Sequence, residues 1–129
     1  MSRRRAPLLE LTVEMLKGAA AGAAEKEVKA MSYLRMTIGR WTIDLNSAEA
    51  EEAFRRIQEE GVSVFRKQPG FIRYRLMRAD SHTTIAVAEW ESEQLGTVGA
   101  QRYRDWLKNS GIAAKLTLET YAGEVVAAS

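Results

Sequence analysis

Arg73 and Arg75 stand two residues apart in the stretch Phe71–Met77, FIRYRLM. On a strand, successive side chains alternate, so both guanidinium groups would leave the same face. Such a pair makes an anion clamp for a carboxylate or phenolate; it is equally the charged rim that guards an edge strand against aggregation. Glu119 and Tyr121 repeat that spacing near the C-terminus and offer the arginines partners in a network across a subunit seam. Trp41, Trp90 and Trp106 are able to stack on an aromatic ligand, although indoles more often fill space. Trp106 and Trp90 read as packing residues, while Trp41 is balanced between core and cavity wall. The candidate binding set is Trp41, Arg73, Arg75 and Tyr121, with no catalytic residue and no metal ligand assigned.

Composition removes much other chemistry. The chain has 129 residues, no cysteine and a single histidine, His82. Thiolate metal sites, disulfides, cysteine nucleophiles and a histidine-rich metal centre within one chain are excluded. No glycine-rich phosphate loop or catalytic triad pattern is present. The net charge of +2 hides an asymmetry. Residues 1–30 carry six bases and four acids, which leaves 13 of each in residues 31–129. A nucleic-acid surface needs a basic stripe on the folded domain, and none is visible, so nucleic acid is not an expected partner. No apolar run is long enough to span a bilayer. Glu10, Glu14 and Lys17 interrupt the apolar stretch after Arg3–Arg5, which argues against a signal peptide. The expected location is cytoplasmic.

The elements that must position these residues follow from periodicity. Residues 1–30 are rich in alanine and read as an N-terminal extension, helical in part, with Met31 able to begin a complete domain. Tyr33–Ile43 is rich in β-branched and aromatic residues and predicts a strand. Asn46 or Ser47 caps a helix whose apolar positions run Ala50, Phe54, Ile57, Gly61, Val64 and Phe65. Gln68-Pro69-Gly70 stops it. Phe71–Met77 and Thr83–Trp90 predict two strands joined by a turn over residues 79–82. Ser92 caps a second helix ending at Gly111, and Lys115–Tyr121 predicts the last strand. The order βαββαβ is that of the ferredoxin-like α+β fold, a four-stranded antiparallel sheet with both helices on one face. Alternation places Leu34, Met36, Ile38, Ile72, Tyr74, Leu76, Leu116 and Leu118 under the helices. It assigns Arg35, Thr37, Gly39, Trp41, Arg73, Arg75, Thr117, Glu119 and Tyr121 to the opposite face. The third strand stays open, since Ala86/Ala88 and Ile85/Val87 are both apolar pairs.

Gln68-Pro69-Gly70-Phe71, Ala88-Glu89-Trp90-Glu91-Ser92 and the spacing between them resemble the antibiotic-biosynthesis-monooxygenase superfamily over about residues 32–123. The resemblance implies a dimeric α/β barrel in which two sheets close face to face around a cavity on the sides away from the helices. It implies a cofactor-independent monooxygenase that oxidises a small aromatic or polyketide-like substrate through its carbanion and molecular oxygen. A non-catalytic small-molecule-binding or stress-related dimer of the same fold is the alternative, and the expected ligand in the cavity is a small aromatic, anionic if the arginines face it. Where such enzymes place an asparagine in the first strand this chain has Gly39, and where a histidine or tryptophan lies on the second helix it has Gly99. The second helix has no histidine to hold haem iron, and His82 falls in a turn, so haem degradation is disfavoured. Gly96 and Gly99 each cost about 1 kcal/mol against alanine in a helix. They allow either close packing or an emptied site.

Overall fold

Ser47, extended after a turn at Leu45 and Asn46, accepts the Ala50 amide at 3.2 Å, which starts the first helix. The computed structural model describes residues 32–129, so the expected extension over residues 1–30 lies outside it. Strand β1 (Tyr33–Trp41) leads to helix α1 (Ala48–Arg56), which passes through one π-turn (Ile57–Gly61) into α2 (Val62–Arg66). A Cβ on Gly61 would come within 2.9 Å of the Trp106 ring, so the wide turn brings backbone against aromatic. Gly70, at φ +79°, reverses the chain into β2 (Phe71–Asp80) and then β3 (Thr83–Trp90). Ser92 caps α3 (Glu93–Asn109) through the Leu95 amide, and a short 3₁₀ turn leads to β4 (Leu116–Glu124). The strand order β2-β3-β1-β4, antiparallel throughout, is the ferredoxin-like arrangement that the sequence predicts. Among the described residues no helix is long and apolar enough to cross a membrane.

The face of β1 is the reverse of the expected one. Tyr33, Gly39 and Trp41 are buried under the helices, and Arg35 and Thr37 point the same way, whereas Met36 lies on the open face, 37% exposed. Register decides this. Trp41, Gly39 and Thr37 pair with Leu116, Leu118 and Thr120 of β4, while Gly39, Thr37 and Arg35 pair with Thr84, Ala86 and Ala88 of β3. Those neighbours face the helices, so β1 must follow. The open third strand resolves in favour of Ala86 and Ala88. On β2, Tyr74 and Leu76 lie inward as expected, but Ile72 does not. An extra residue between Phe71 and Arg73 shifts the register, leaving Ile72 39% exposed and turning Phe71 inward.

Trp90 is wholly buried where β3 meets α3. Its indole lies along Gly96 and Gly99; a Cβ on Gly99 would overlap the six-membered ring. The two helix glycines therefore exist for close packing. Phe65 centres an aromatic cluster, with Tyr103 stacked at 4.3 Å, Tyr74 at 4.6 Å, Phe71 at 5.5 Å and Trp90 at 5.8 Å between ring centroids. Gly99→Ala is expected to destabilise the fold. The overlap with Trp90 costs about 1–3 kcal/mol and outweighs the ~1 kcal/mol of helix propensity gained. A chemical denaturation midpoint equal to or above that of the parent chain would refute this packing.

Candidate functional site

Between the sheet and the helices lies a cavity of about 80 Å³. Its floor is the inward face of all four strands and includes Trp41, Tyr74, Thr84 and Leu118; its roof comes from Ile57, Phe65 and the α3 residues Ala100, Tyr103, Arg104 and Leu107. This is the helix side of the sheet, opposite to where the resemblance puts a cavity. The cause is the reversed face of β1. With small residues at Gly39, Ala86, Ala88 and Ala100, the sheet and α3 are held apart by their larger neighbours and do not close.

The expected binding set is divided by the sheet. Trp41 is buried and lines the cavity, its indole N–H donating to Thr84 Oγ1 at 2.9 Å. Gly39 leaves space for that bond, because a Cβ there would meet Thr84 Oγ1 at 2.7 Å. Arg73, Arg75 and Tyr121 leave the other face. Arg73 pairs with Glu89 at 3.1 Å and is largely exposed. Tyr121 donates to Glu119 at 2.5 Å, which holds that carboxyl below its usual range, with Arg40 adding at 3.3 Å. Glu119 thus pairs with Arg40 and Tyr121 and is not held by Arg73 or Arg75. His82 sits in the turn beside Ser81, as expected for a solvated residue.

Four polar residues of the cavity escaped the sequence analysis. Tyr74 and Tyr103 bring their hydroxyls to 3.4 Å. Burial pushes both phenols above their ordinary value, and Tyr74 raises Tyr103 further. Thr84 supplies the acceptor for Trp41. Arg104 lies on the inner face of α3, four residues after Ala100 and three before Leu107, a spacing that shows in the sequence. Arg35, assigned by alternation to the opposite face, lines the same cavity; burial and then Arg104 pull its guanidinium down from its usual value. Among the described residues the cavity wall contains no aspartate, glutamate or histidine. Among the described residues no three histidine or carboxylate side chains are grouped to hold a metal ion. The Trp90 indole N–H is buried without an acceptor among the described residues.

The family model for antibiotic biosynthesis monooxygenases matches residues 46–110, half of the chain. The chain belongs to the antibiotic biosynthesis monooxygenase family. The match runs from the α1 cap through the end of α3, so it includes Trp90 and both helix glycines. No curated protein sequence matches the chain. Solved structures share the fold. SnoaB, described as a cofactor-independent oxygenase from Streptomyces nogalater, superposes with a TM-score of 0.58 at 20% identity, covering 78% of this chain and 96% of its own. A monooxygenase from the gene ActVA-Orf6 of Streptomyces coelicolor, in complex with nanaomycin D, gives 0.60 at 15% identity, covering 78% and 92%. A dimeric ferredoxin-like protein from an uncultured marine organism gives 0.61 at 17% identity, covering 81% and 96%.

The tyrosine pair yields a pH dependence. Phenols held above their ordinary value of 10.0 in the fold keep their protons longer than in the unfolded chain. The stabilisation they contribute is complete below pH 10 and is lost as pH rises beyond it, because only the unfolded state releases the protons. Melting temperature should fall more steeply above pH 10 in the parent chain than in Tyr103→Phe. Equal slopes would show that Tyr103 is accessible to base. Separately, Thr84→Val should cost about 1–3 kcal/mol by stranding the buried Trp41 N–H, readable in a denaturant titration.

Proposed function

We propose that this chain is a cofactor-independent monooxygenase acting on a small, single-ring hydroxylated aromatic held between the sheet and α3. The observation that carries the reading is the cavity itself. It is walled largely by aromatic and aliphatic side chains and supplied with neutral hydroxyls from Tyr74, Tyr103 and Thr84. In such a place preoriented donors stabilise charge that develops on a phenolic oxygen, as attack on oxygen by an electron-rich ring requires. For a phenol with a free ring position, the balance is one phenol and one O₂ to one quinone and one water. Size selects within the class. Ligand sites commonly enclose about 300–1,000 Å³, so a cavity of about 80 Å³ favours one ring over a fused polyketide.

A non-catalytic binding role is favoured by a different observation: among the described residues the cavity wall offers no imidazole or carboxylate to act as base. An oxygen electrode separates the two. With single-ring phenols and hydroquinones, and no added metal or flavin, the enzyme reading expects oxygen uptake matched by quinone absorbance. Ala100→Leu fills the cavity from α3 and should abolish that uptake while leaving the far-UV circular dichroism unchanged. Uptake that survives the filling would place the chemistry elsewhere.

We infer that the open face of the sheet covers itself with a second copy. Met36, Met77 and Tyr121 are 37%, 55% and 55% exposed there, beside the half-buried Ile38, Ile85 and Val87. Contiguous apolar surface of this kind is rare on monomers, and two-fold pairing matches such a patch to its own image. Arg73 and Arg75 on one edge strand, and Glu119 on the other, offer both signs of charge to the seam. Light scattering is expected to give close to twice 14.4 kDa. A monomer that persists at micromolar concentration would overturn the pairing.

A further inference from the structure

The cavity is not uniformly apolar. At the end of β1 nearest Tyr33, Arg35 rises from the floor, and Arg104 descends from α3 to the same opening. Arg35 is half-buried and Arg104 exposed, so the pair stands where the cavity meets water. Two cations from different elements converge on one opening, and among the described residues the wall around them holds no acid. Arg40, Arg56 and Arg73 each reach a carboxylate at 3.1–3.3 Å, and Arg55 is held by Glu52 and Glu59, whereas Arg66, Arg75, Arg78 and Arg102 pair with none among the described residues but do not line this cavity. Among the described residues neither Arg35 nor Arg104 has a carboxylate within 4.0 Å. A like-charged pair next to apolar surface is unfavourable unless an acceptor joins it. The remaining neighbours at the mouth, Thr37, Thr120 and Leu118, carry no charge.

We propose that Arg35 and Arg104 form an anion-binding pair at the mouth of the cavity, which takes the carboxylate of a small aromatic acid with its ring directed inward. The proposal rests on the cavity being the ligand site, and it adds the ligand's charge and orientation. Guanidinium forks suit the two oxygens of a carboxylate. A ring inserted between Trp41, Phe65 and Leu118 would leave the acid group at the opening, where both arginines reach it. The pair thereby selects acids over neutral aromatics of equal size.

Benzoate and benzamide test this, because they have nearly the same shape and differ in charge. Titrated into the full chain by calorimetry, benzoate is expected to bind at least tenfold more tightly than benzamide and to weaken as salt rises. Arg35→Gln and Arg104→Gln should each remove most of that preference. Arg102→Gln, which deletes the same charge from an exposed position of α3, should retain it. Arg104 is exposed, so its variant tests the pair even if Arg35→Gln fails to fold. Equal binding of the two probes, binding of neither, or a preference that survives both substitutions would overturn the proposal. Benzoate binding without oxygen uptake by any phenolic acid would keep the anion pair and sink the oxygenase reading; uptake indifferent to the arginine variants would do the reverse.

Discussion

The fit of Trp90 against α3 sets the dimensions of everything around it. A helix packed on a sheet is normally spaced by its own side chains. Here α3 presents bare backbone at Gly96 and Gly99, and the spacer is an indole that belongs to the sheet. One end of the helix is thereby pinned close, with Phe65 and Phe71 closing on the ring from the other side. Further along, Ala100 replaces the large spacer while Tyr103 and Leu107 hold the distance, and the cavity opens between them. The void and the tight contact are two consequences of one arrangement. Packing at interior density leaves no space by accident, so an apolar gap of this size reflects the distribution of small residues.

Element order was legible because each boundary carries local chemistry. Ser47 and Ser92 cap, Gly70 turns with positive φ, and Gly111 at φ +85° ends α3. The face of β1 was not legible. Both of its faces are apolar: Leu34, Met36 and Ile38 on one, Tyr33 and Trp41 on the other. Alternation distinguishes a polar face from an apolar one, and a strand apolar on both faces gives it nothing to distinguish. The choice was made by pairing partners in β3 and β4, which are distant in sequence. The Ile72 irregularity was hidden for a similar reason, since a bulge changes no residue type.

For the site, the consequence was a division. Arg73 and Arg75 were conspicuous because two arginines alternate in one short segment, yet conspicuous spacing within a strand says only that two groups share a face. Arg35 and Arg104 lie 69 residues apart and become neighbours only through the packing of α3 over β1. Each was nevertheless anomalous by itself. Arg104 interrupts the inner face of an amphipathic helix, and Arg35 follows the buried Tyr33 on the inward side of a central strand. The glycines at 39 and 99 stand where the resemblance implies functional groups, and here both backbones abut other side chains. The proposed chemistry therefore rests on different atoms from those the resemblance suggests.

Strand β4 hydrogen-bonds on one side only, and beyond Leu116 its residues are mostly exposed even on the side turned toward the helices. Leu118 and Thr120 of this strand nevertheless form part of the cavity wall. The enclosure is thus completed by the element with the fewest anchors. In a protein whose regions open with different free energies, the least anchored edge opens first. Amide exchange should be fastest along β4, slower in β1, and slowest where β3 carries Trp90. The cavity volume then belongs to a closed state in equilibrium with more open ones, and a ligand too large for the former gains entry at the cost of peeling one edge of the sheet.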